Sequence, residues 1–211
     1  MSGTHRRCLI VISGKSTRGI EDRFCGWTDP PLSREGRQMV LSLGQQIEQS
    51  GRLPRIWYVS DRRRSIETFE ILTAGRHAPV VVLSDKLREI NFGVYENLTW
   101  EELPFDFQQL YERCLKQPMD LKFPGGEGFS DLCDRVSAAA LDILSYQEDD
   151  SDLAVVGHQG SMRLWYMMAA GLGPEAFFAE TPHQAEGKWL DLSAADVAQW
   201  RHKYLNPRSK I

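Results

Sequence analysis

The chain has 211 residues, of which 42% are hydrophobic and 26% are charged, a composition typical of globular proteins rather than disordered or collagen-like ones. Its net charge of −4 argues against a general nucleic-acid or membrane-surface binder, because such proteins present excess Lys and Arg on one face. Any anionic ligand must therefore be held by a local basic pocket. We predict a single domain over 1–211. A chain of this length buries roughly 70% of its unfolded surface, so it needs neither a metal nor disulfides to fold.

The four cysteines lie far apart, with no C-x-x-C pair and no histidine at ligand spacing. Neither a zinc site nor a disulfide framework is predicted from this pattern, and we expect no metal and no cofactor. The apolar run at 8–12 is too short for the hydrophobic region of a signal peptide. No other stretch approaches the ~18 apolar residues of a membrane span. We therefore expect a cytoplasmic protein without nucleic-acid or membrane partners.

Strands and helices alternate in the first part of the chain. A branched apolar strand is predicted at 8–12, and Ser33 is a suitable N-cap for a helix that reaches about position 49. A strand at 56–59, a helix at 63–74 and a strand at 80–83 follow. This order predicts an α/β fold, a three-layer αβα sandwich with a mostly parallel central sheet and right-handed crossovers.

Residues 95–123 depart from the alternation and are rich in aromatic side chains. We predict a helical insertion there, over the edge of the sheet and over the site. Its aromatic residues favour a ring-bearing ligand only weakly, because such side chains at helical spacing are more often part of a core. The remaining predicted elements are a helix at 130–146, a strand at 153–156, a helix at 161–170, a strand at 188–192 and a helix at 194–204.

Polar clusters follow three predicted strands, at 13–16, 60–64 and 157–160. Ligands of open parallel sheets bind beyond the carboxyl ends of the strands. Lys15, the arginines of the second cluster and the helix start after His158 would there surround an anion, which predicts a phosphate or a small phosphorylated molecule as ligand. The alternative is that the arginines are the solvated start of a helix and that His158 is a hydrogen-bonded strand-end histidine.

Five segments carry a family signal. They are RFCGWTDPPLSREG at 23–36, SDRRRSIET at 60–68, LREINFGVYE at 87–96, PGGE at 124–127 with Asp131 and Arg135, and VGHQG at 156–160. In this order they resemble motifs of the histidine phosphatase superfamily, in its phosphoglycerate mutase-like and α-ribazole phosphatase-like branch. The resemblance implies the phosphoglycerate mutase-like fold, activity on phosphate esters, a phosphate-binding role for Arg64 and a proton-donor role for Glu89.

The first motif of that family is degenerate in this chain. Family members end their first strand with Arg-His-Gly, in which the histidine attacks phosphorus and the arginine holds the phosphoryl oxygens. Counting back from Arg23 without a gap, Gly14 takes the glycine position, Ser13 the histidine position and Ile12 the arginine position. A serine hydroxyl needs an activating base or metal, and one lost oxyanion donor lowers a rate by about 10²–10³. The resemblance therefore predicts a phosphatase homologue with very low or no activity.

Three functions are open from the sequence. The first is an impaired or inactive family member, a pseudoenzyme, that binds a phosphorylated metabolite or a partner such as an active paralogue. The second is an active small-molecule phosphomonoesterase in which Ser13 or His158 is the nucleophile. The third is a non-enzymatic interaction protein whose pocket is closed by Ile12 and the insertion. The candidate catalytic residues are Ser13, Glu89 and His158, and the candidate phosphate-binding residues are Ser13, Gly14, Lys15, Arg64 and His158.

Glu89 has two interpretations. In an active relative it would protonate the leaving oxygen, a role that requires a raised pKa. In a pocket without the nucleophile it would only pair with Arg64 or Lys15.

Overall fold

The computed structural model describes residues 4–75, 79–145, 151–179 and 183–205. The predicted elements agree with the observed ones to within two residues, apart from position 146, which lies outside the described residues. None of the helices within these ranges is long and apolar enough to cross a membrane. The strands are β1 (Arg6–Ile12), β2 (Ile56–Ser60), β3 (Val80–Ser84), β4 (Leu153–Gly157) and β5 (Gly187–Leu192), and the α-helices are α1 (Arg34–Gln49), α2 (Arg63–Thr73), α3 (Phe105–Cys114), α4 (Phe129–Ser145), α5 (Gln159–Ala170) and α6 (Ala194–Tyr204).

The five strands form one sheet in the order β3-β2-β4-β1-β5. β1 and β2 both pair with β4 in parallel, and β5 pairs with β1 in the antiparallel direction. The sheet is therefore mostly parallel, as predicted. Because Ile12 pairs with Gly157 and Val59 with Val156, the last residues of β1, β2 and β4 lie side by side. This register brings the three polar strand-end clusters to one edge of the sheet.

Helices cover both faces of the sheet, which confirms the three-layer sandwich. Leu9 and Val11 of β1 face a core formed with α1 and α2. Cys8, Ile10 and Ile12 point to the opposite face, where α4, α5 and α6 pack. Side chains alternate along a strand, and each fully buried large aliphatic side chain stabilises the fold by about 1.5–3 kcal/mol. Ile12 is therefore a core residue at the strand end.

The start of α5 differs from the prediction for a local reason. The helix begins at Gln159 with His158 as its N-cap, two residues before the predicted position. The Ser161 hydroxyl accepts a hydrogen bond of 3.1 Å from the His158 backbone N–H. Side-chain oxygens at the third helical position commonly satisfy the N-cap amide in this way. The contact places the His158 side chain at the helix N-terminus, on the edge where the strands end.

Candidate active site

A cavity of ≈ 380 Å³ lies at the carboxyl ends of β1 and β4. Its size is within the range of small-molecule sites, about 300–1,000 Å³. Part of its lining comes from the predicted insertion. Among the described residues, no group of three or more His, Cys, Asp or Glu side chains is arranged to hold a metal ion. The predicted site residues that the structure brings to this cavity are Ser13, Gly14, Arg64, Glu89 and His158.

The other basic residues of the predicted anion site do not line this cavity. Lys15 lies outside the lining, and its Nζ is 3.9 Å from Glu35 Oε1. Arg62 is held by a neighbouring carboxylate and a backbone carbonyl. Arg63 pairs with Glu67, with 3.2 Å between Nε and Oε1. Of the three consecutive arginines, only the last reaches the cavity, so the first two behave as the start of a helix.

Arg64 is only 4% exposed, and its guanidinium is held from several sides. Nη1 donates to the Thr28 carbonyl at 3.0 Å, and Nη2 donates to the carbonyls of Cys25 (3.0 Å) and Gly26 (2.9 Å). Nε donates to His158 Nδ1 at 3.1 Å. These contacts use four of the five N–H donors of a guanidinium. Arg64 therefore offers the cavity one remaining N–H rather than a bidentate fork.

Glu96 holds the loop whose carbonyls surround Arg64. Its carboxylate accepts hydrogen bonds from the backbone N–H groups of Gly26, Trp27 and Thr28, at 3.1, 2.8 and 3.1 Å. A Cβ at Gly26 would lie 2.1 Å from the Ile90 carbonyl oxygen, so only glycine fits there. The loop is thus held by the Glu96 carboxylate, which accepts from its amides, and by the Arg64 guanidinium, which donates to its carbonyls. The spacing of Glu96 in the sequence does not predict this contact, because the partners lie about 70 positions away.

His158 is a neutral, hydrogen-bonded imidazole. Because the Arg64 Nε can only donate, His158 Nδ1 is the acceptor and the ring proton lies on Nε2. Nε2 lies 2.9 Å from Ser60 Oγ and donates to it. Burial, followed by the charge of Arg64, holds the pKa of His158 well below its usual range. Neither ring nitrogen presents a lone pair to Ser13 in this arrangement.

The end of β1 reaches the cavity. Ile12 and Ser13 both line it. The Ser13 N–H donates to the Gly157 carbonyl at 2.9 Å, and the Gly14 N–H donates to Thr68 Oγ1 at 3.1 Å. Within the described residues, no hydrogen bond to the Ser13 hydroxyl is present. The backbone amides of these two candidate phosphate-binding residues, Ser13 and Gly14, are therefore already hydrogen-bonded inside the protein.

Glu89 caps α5 rather than pairing with a cation. One of its oxygens accepts from the Gly160 N–H at 2.8 Å and the other from the Ile90 N–H at 2.9 Å. Helix N-termini favour negative charge because their first amides lack backbone acceptors. Among the described ion pairs, none joins Glu89 to Arg64 or Lys15. The carboxylate thus occupies an amide that an anionic ligand would otherwise reach.

The sequence did not suggest Arg163, which also lines the cavity. Its Nε is buried without a hydrogen-bond partner, and its guanidinium carbon lies 5.4 Å from the centre of the Phe177 ring. Burial lowers the pKa of Arg163. The sequence did hold one indication that Arg163 faces the site. It lies three positions after Gly160 of the last motif, and residues at this spacing share a helix face.

A model of the histidine phosphatase superfamily (branch 1) matches residues 10–202. The chain belongs to this superfamily. A metal-independent phosphoserine phosphatase from Arabidopsis thaliana is 25% identical over 195 residues, which cover 90% of this chain and 81% of that protein. Human 6-phosphofructo-2-kinase/fructose-2,6-bisphosphatase 4 is 29% identical over 161 residues, which cover 76% of this chain and 32% of the longer protein. The α-ribazole phosphatase from Shigella flexneri has the same fold, with a TM-score of 0.76 at 20% identity, and the match covers 89% of this chain and 91% of that one. The resemblance and the fold predicted from the motifs are confirmed.

Proposed function

We propose that this chain has lost the phosphohistidine chemistry of its superfamily and binds a small phosphorylated molecule in the cavity without turning it over. The observation that carries the proposal is the end of β1. Ile12 and Ser13 stand at the positions where the resemblance places an arginine and a nucleophilic histidine. Ile12 is buried in the core beside α4, α5 and α6. Its side chain is aliphatic and therefore offers no donor to phosphoryl oxygens. Positioning and electrostatic stabilisation of those oxygens supply most of the catalysis in phosphoryl transfer.

The hydrogen bonds of His158 argue against a relocated nucleophile. A serine hydroxyl needs an adjacent base, and His158 instead bonds to Arg64 and Ser60. Direct attack by His158 would require its Nδ1 lone pair, which accepts the Arg64 N–H. An active phosphomonoesterase therefore has less support than ligand binding.

The cavity itself favours a binding function over a closed pocket. A space of ≈ 380 Å³ beside Ile12 is large enough for a small metabolite. The names of the matched relatives include phosphoserine phosphatase, fructose-2,6-bisphosphatase and α-ribazole phosphatase, which supports a phosphorylated ligand. A partner chain is the second candidate, because the edge strand β3 exposes four consecutive apolar side chains, Val80, Val81, Val82 and Leu83.

The proposal is tested with p-nitrophenyl phosphate and phosphoserine as substrates and with a search for acid-labile phosphoenzyme. We expect neither turnover at an enzymatic rate nor a phosphohistidine. Ser13→Ala and His158→Ala are compared with Ser42→Ala, a change at an exposed serine of α1. Turnover that Ser13→Ala or His158→Ala abolishes, while Ser42→Ala retains it, would overturn the proposal.

A further inference from the structure

Five aromatic side chains form a continuous wall on the cavity. Trp100 contacts Tyr111 at 5.3 Å between ring centres, and Tyr111 contacts Phe178 at 5.7 Å. Phe178 contacts Phe177 at 5.0 Å, and Phe177 contacts Phe129 at 4.5 Å. All five residues, which we call the aromatic wall, line the cavity. Edge-to-face packing of this kind leaves ring surfaces against which a further ring can pack.

Arg163 lies against Phe177, the ring between Phe178 and Phe129 in the aromatic wall. Its guanidinium packs over the Phe177 ring, yet its buried Nε has no acceptor. The described ion pairs and hydrogen bonds include none to Arg163. A buried donor without an acceptor costs about 1–3 kcal/mol. Because Arg163 lines the cavity, a ligand there is a possible partner for its guanidinium. A guanidinium suits a carboxylate or a phosphate, which it binds through two parallel hydrogen bonds.

The other arginines of the cavity are already engaged. Arg64 is held by three backbone carbonyls and His158, as described above. Arg23 pairs with Glu21 and Glu102, each at 2.9 Å. Within the described lining, Arg163 is therefore the arginine for which no hydrogen-bond acceptor is present.

We infer that the cavity binds a ring-bearing molecule that carries an oxyanion, either a phosphate monoester or a carboxylate. The oxyanion bonds to Arg163 and the ring packs on the aromatic wall. This inference rests on the proposed function, since it requires that the cavity binds a small ligand. The inferred anion-binding residue is therefore Arg163 of α5, whereas the motifs predict Arg64.

The inference is tested by calorimetric titration with 1-naphthyl phosphate, 1-naphthoate, uncharged 1-naphthol and inorganic phosphate. Arg163→Gln is expected to weaken binding of the two charged naphthyl probes by about 10- to 100-fold, the range of a lost charge-assisted hydrogen bond. Binding of 1-naphthol should change little. Arg163→Lys should restore part of the loss, and Arg23→Gln, the matched change at a paired arginine of the same cavity, should have a small effect. Urea unfolding of each variant verifies that it is folded.

The outcomes distinguish the role of Arg163 from ligand binding by the cavity as such. Tighter binding of 1-naphthyl phosphate identifies a phosphate monoester, and tighter binding of 1-naphthoate identifies a carboxylate, and either supports the inference. Charged-probe affinities that are unchanged in Arg163→Gln, or equally reduced in Arg23→Gln, would overturn it while leaving ligand binding intact. If inorganic phosphate binds as tightly as 1-naphthyl phosphate, the aromatic wall contributes nothing to binding and the inference is wrong. If no naphthyl probe binds the wild-type chain, the proposed function fails as well.

Discussion

Arg64 and Arg163 line the same cavity from two different helices, and their surroundings are opposite. Arg64 has acceptors from the loop before α1 and from His158. Arg163 has an aromatic ring beneath it and a buried Nε without an acceptor. Both are cations in a shared cavity, but Arg64 has one N–H left for a ligand, whereas Arg163 has no hydrogen-bond acceptor among the described residues. The difference lies in the source of the acceptors: the protein supplies them to Arg64, and among the described residues it supplies none to Arg163 Nε.

The largest expected effect follows from removing each arginine in turn. Arg64→Gln would leave backbone carbonyls and a buried imidazole without their donor, so we expect a loss of about 3 kcal/mol or more in the free energy of unfolding. Arg163→Gln removes a guanidinium that has no acceptor to lose, so its cost should stay below about 1 kcal/mol. Urea unfolding monitored by circular dichroism measures both. Equal losses of unfolding free energy would contradict the view that Arg64 is held by the protein and Arg163 is not.

A second effect concerns the loop that surrounds Arg64. Glu96→Gln weakens the acceptor of three loop amides, and we expect a loss of about 2 kcal/mol in the free energy of unfolding, since hydrogen bonds to charged groups contribute about 1.5–3 kcal/mol. Glu102→Gln, at an exposed carboxylate that pairs with Arg23, is the control and should cost much less. The double variant Glu96→Gln with Arg64→Gln should lose less than the sum of the single losses, because both act on one loop. Additive losses would show that the loop is not held jointly.

The pH dependence of stability reports on the imidazole bound to Arg64. The unfolded chain protonates His158 below about pH 6.5, whereas the folded protein keeps it neutral because burial and Arg64 lower its pKa. The unfolded state therefore binds more protons, and the stability present above pH 6.5 falls by about 1.4 kcal/mol for each pH unit below it. Urea unfolding of the wild-type chain and His158→Gln at pH 7.5 and 5.5 checks this. A slope that is equally steep in His158→Gln would contradict it.

The smallest expected effect is at Lys15. This residue lies outside the cavity lining and near Glu35 at the surface, where ion pairs contribute about 0–1 kcal/mol. Lys15→Met should change the affinity for 1-naphthyl phosphate by no more than about twofold, since screened charges at that position act weakly on a ligand. Titration calorimetry measures the change. A tenfold loss of affinity would show that Lys15 does belong to the anion site, as its position after β1 predicted.

Local pattern was sufficient to predict the helices and strands and the strand ends that meet. Ser33 predicted the start of α1 because its hydroxyl accepts the Gly36 N–H within the same turn. The alternation of strands and helices predicted which strand ends meet, since parallel strands carry their carboxyl ends to one edge. The prediction that Ile12 and Ser13 stand where the family motif has an arginine and a histidine also follows from counting residues in the sequence.

Only the tertiary structure decided which of the site residues are free. His158 meets Arg64 across 94 positions of the chain, and Glu89 meets the Gly160 amide across 71. Hydrogen bonds of this range depend on the packing of whole elements, which no local spacing encodes. For the same reason, the sequence predicted only that an anion site lies at the strand ends, whereas the packing around α5 decided that Arg163, rather than Arg64, has no acceptor among the described residues.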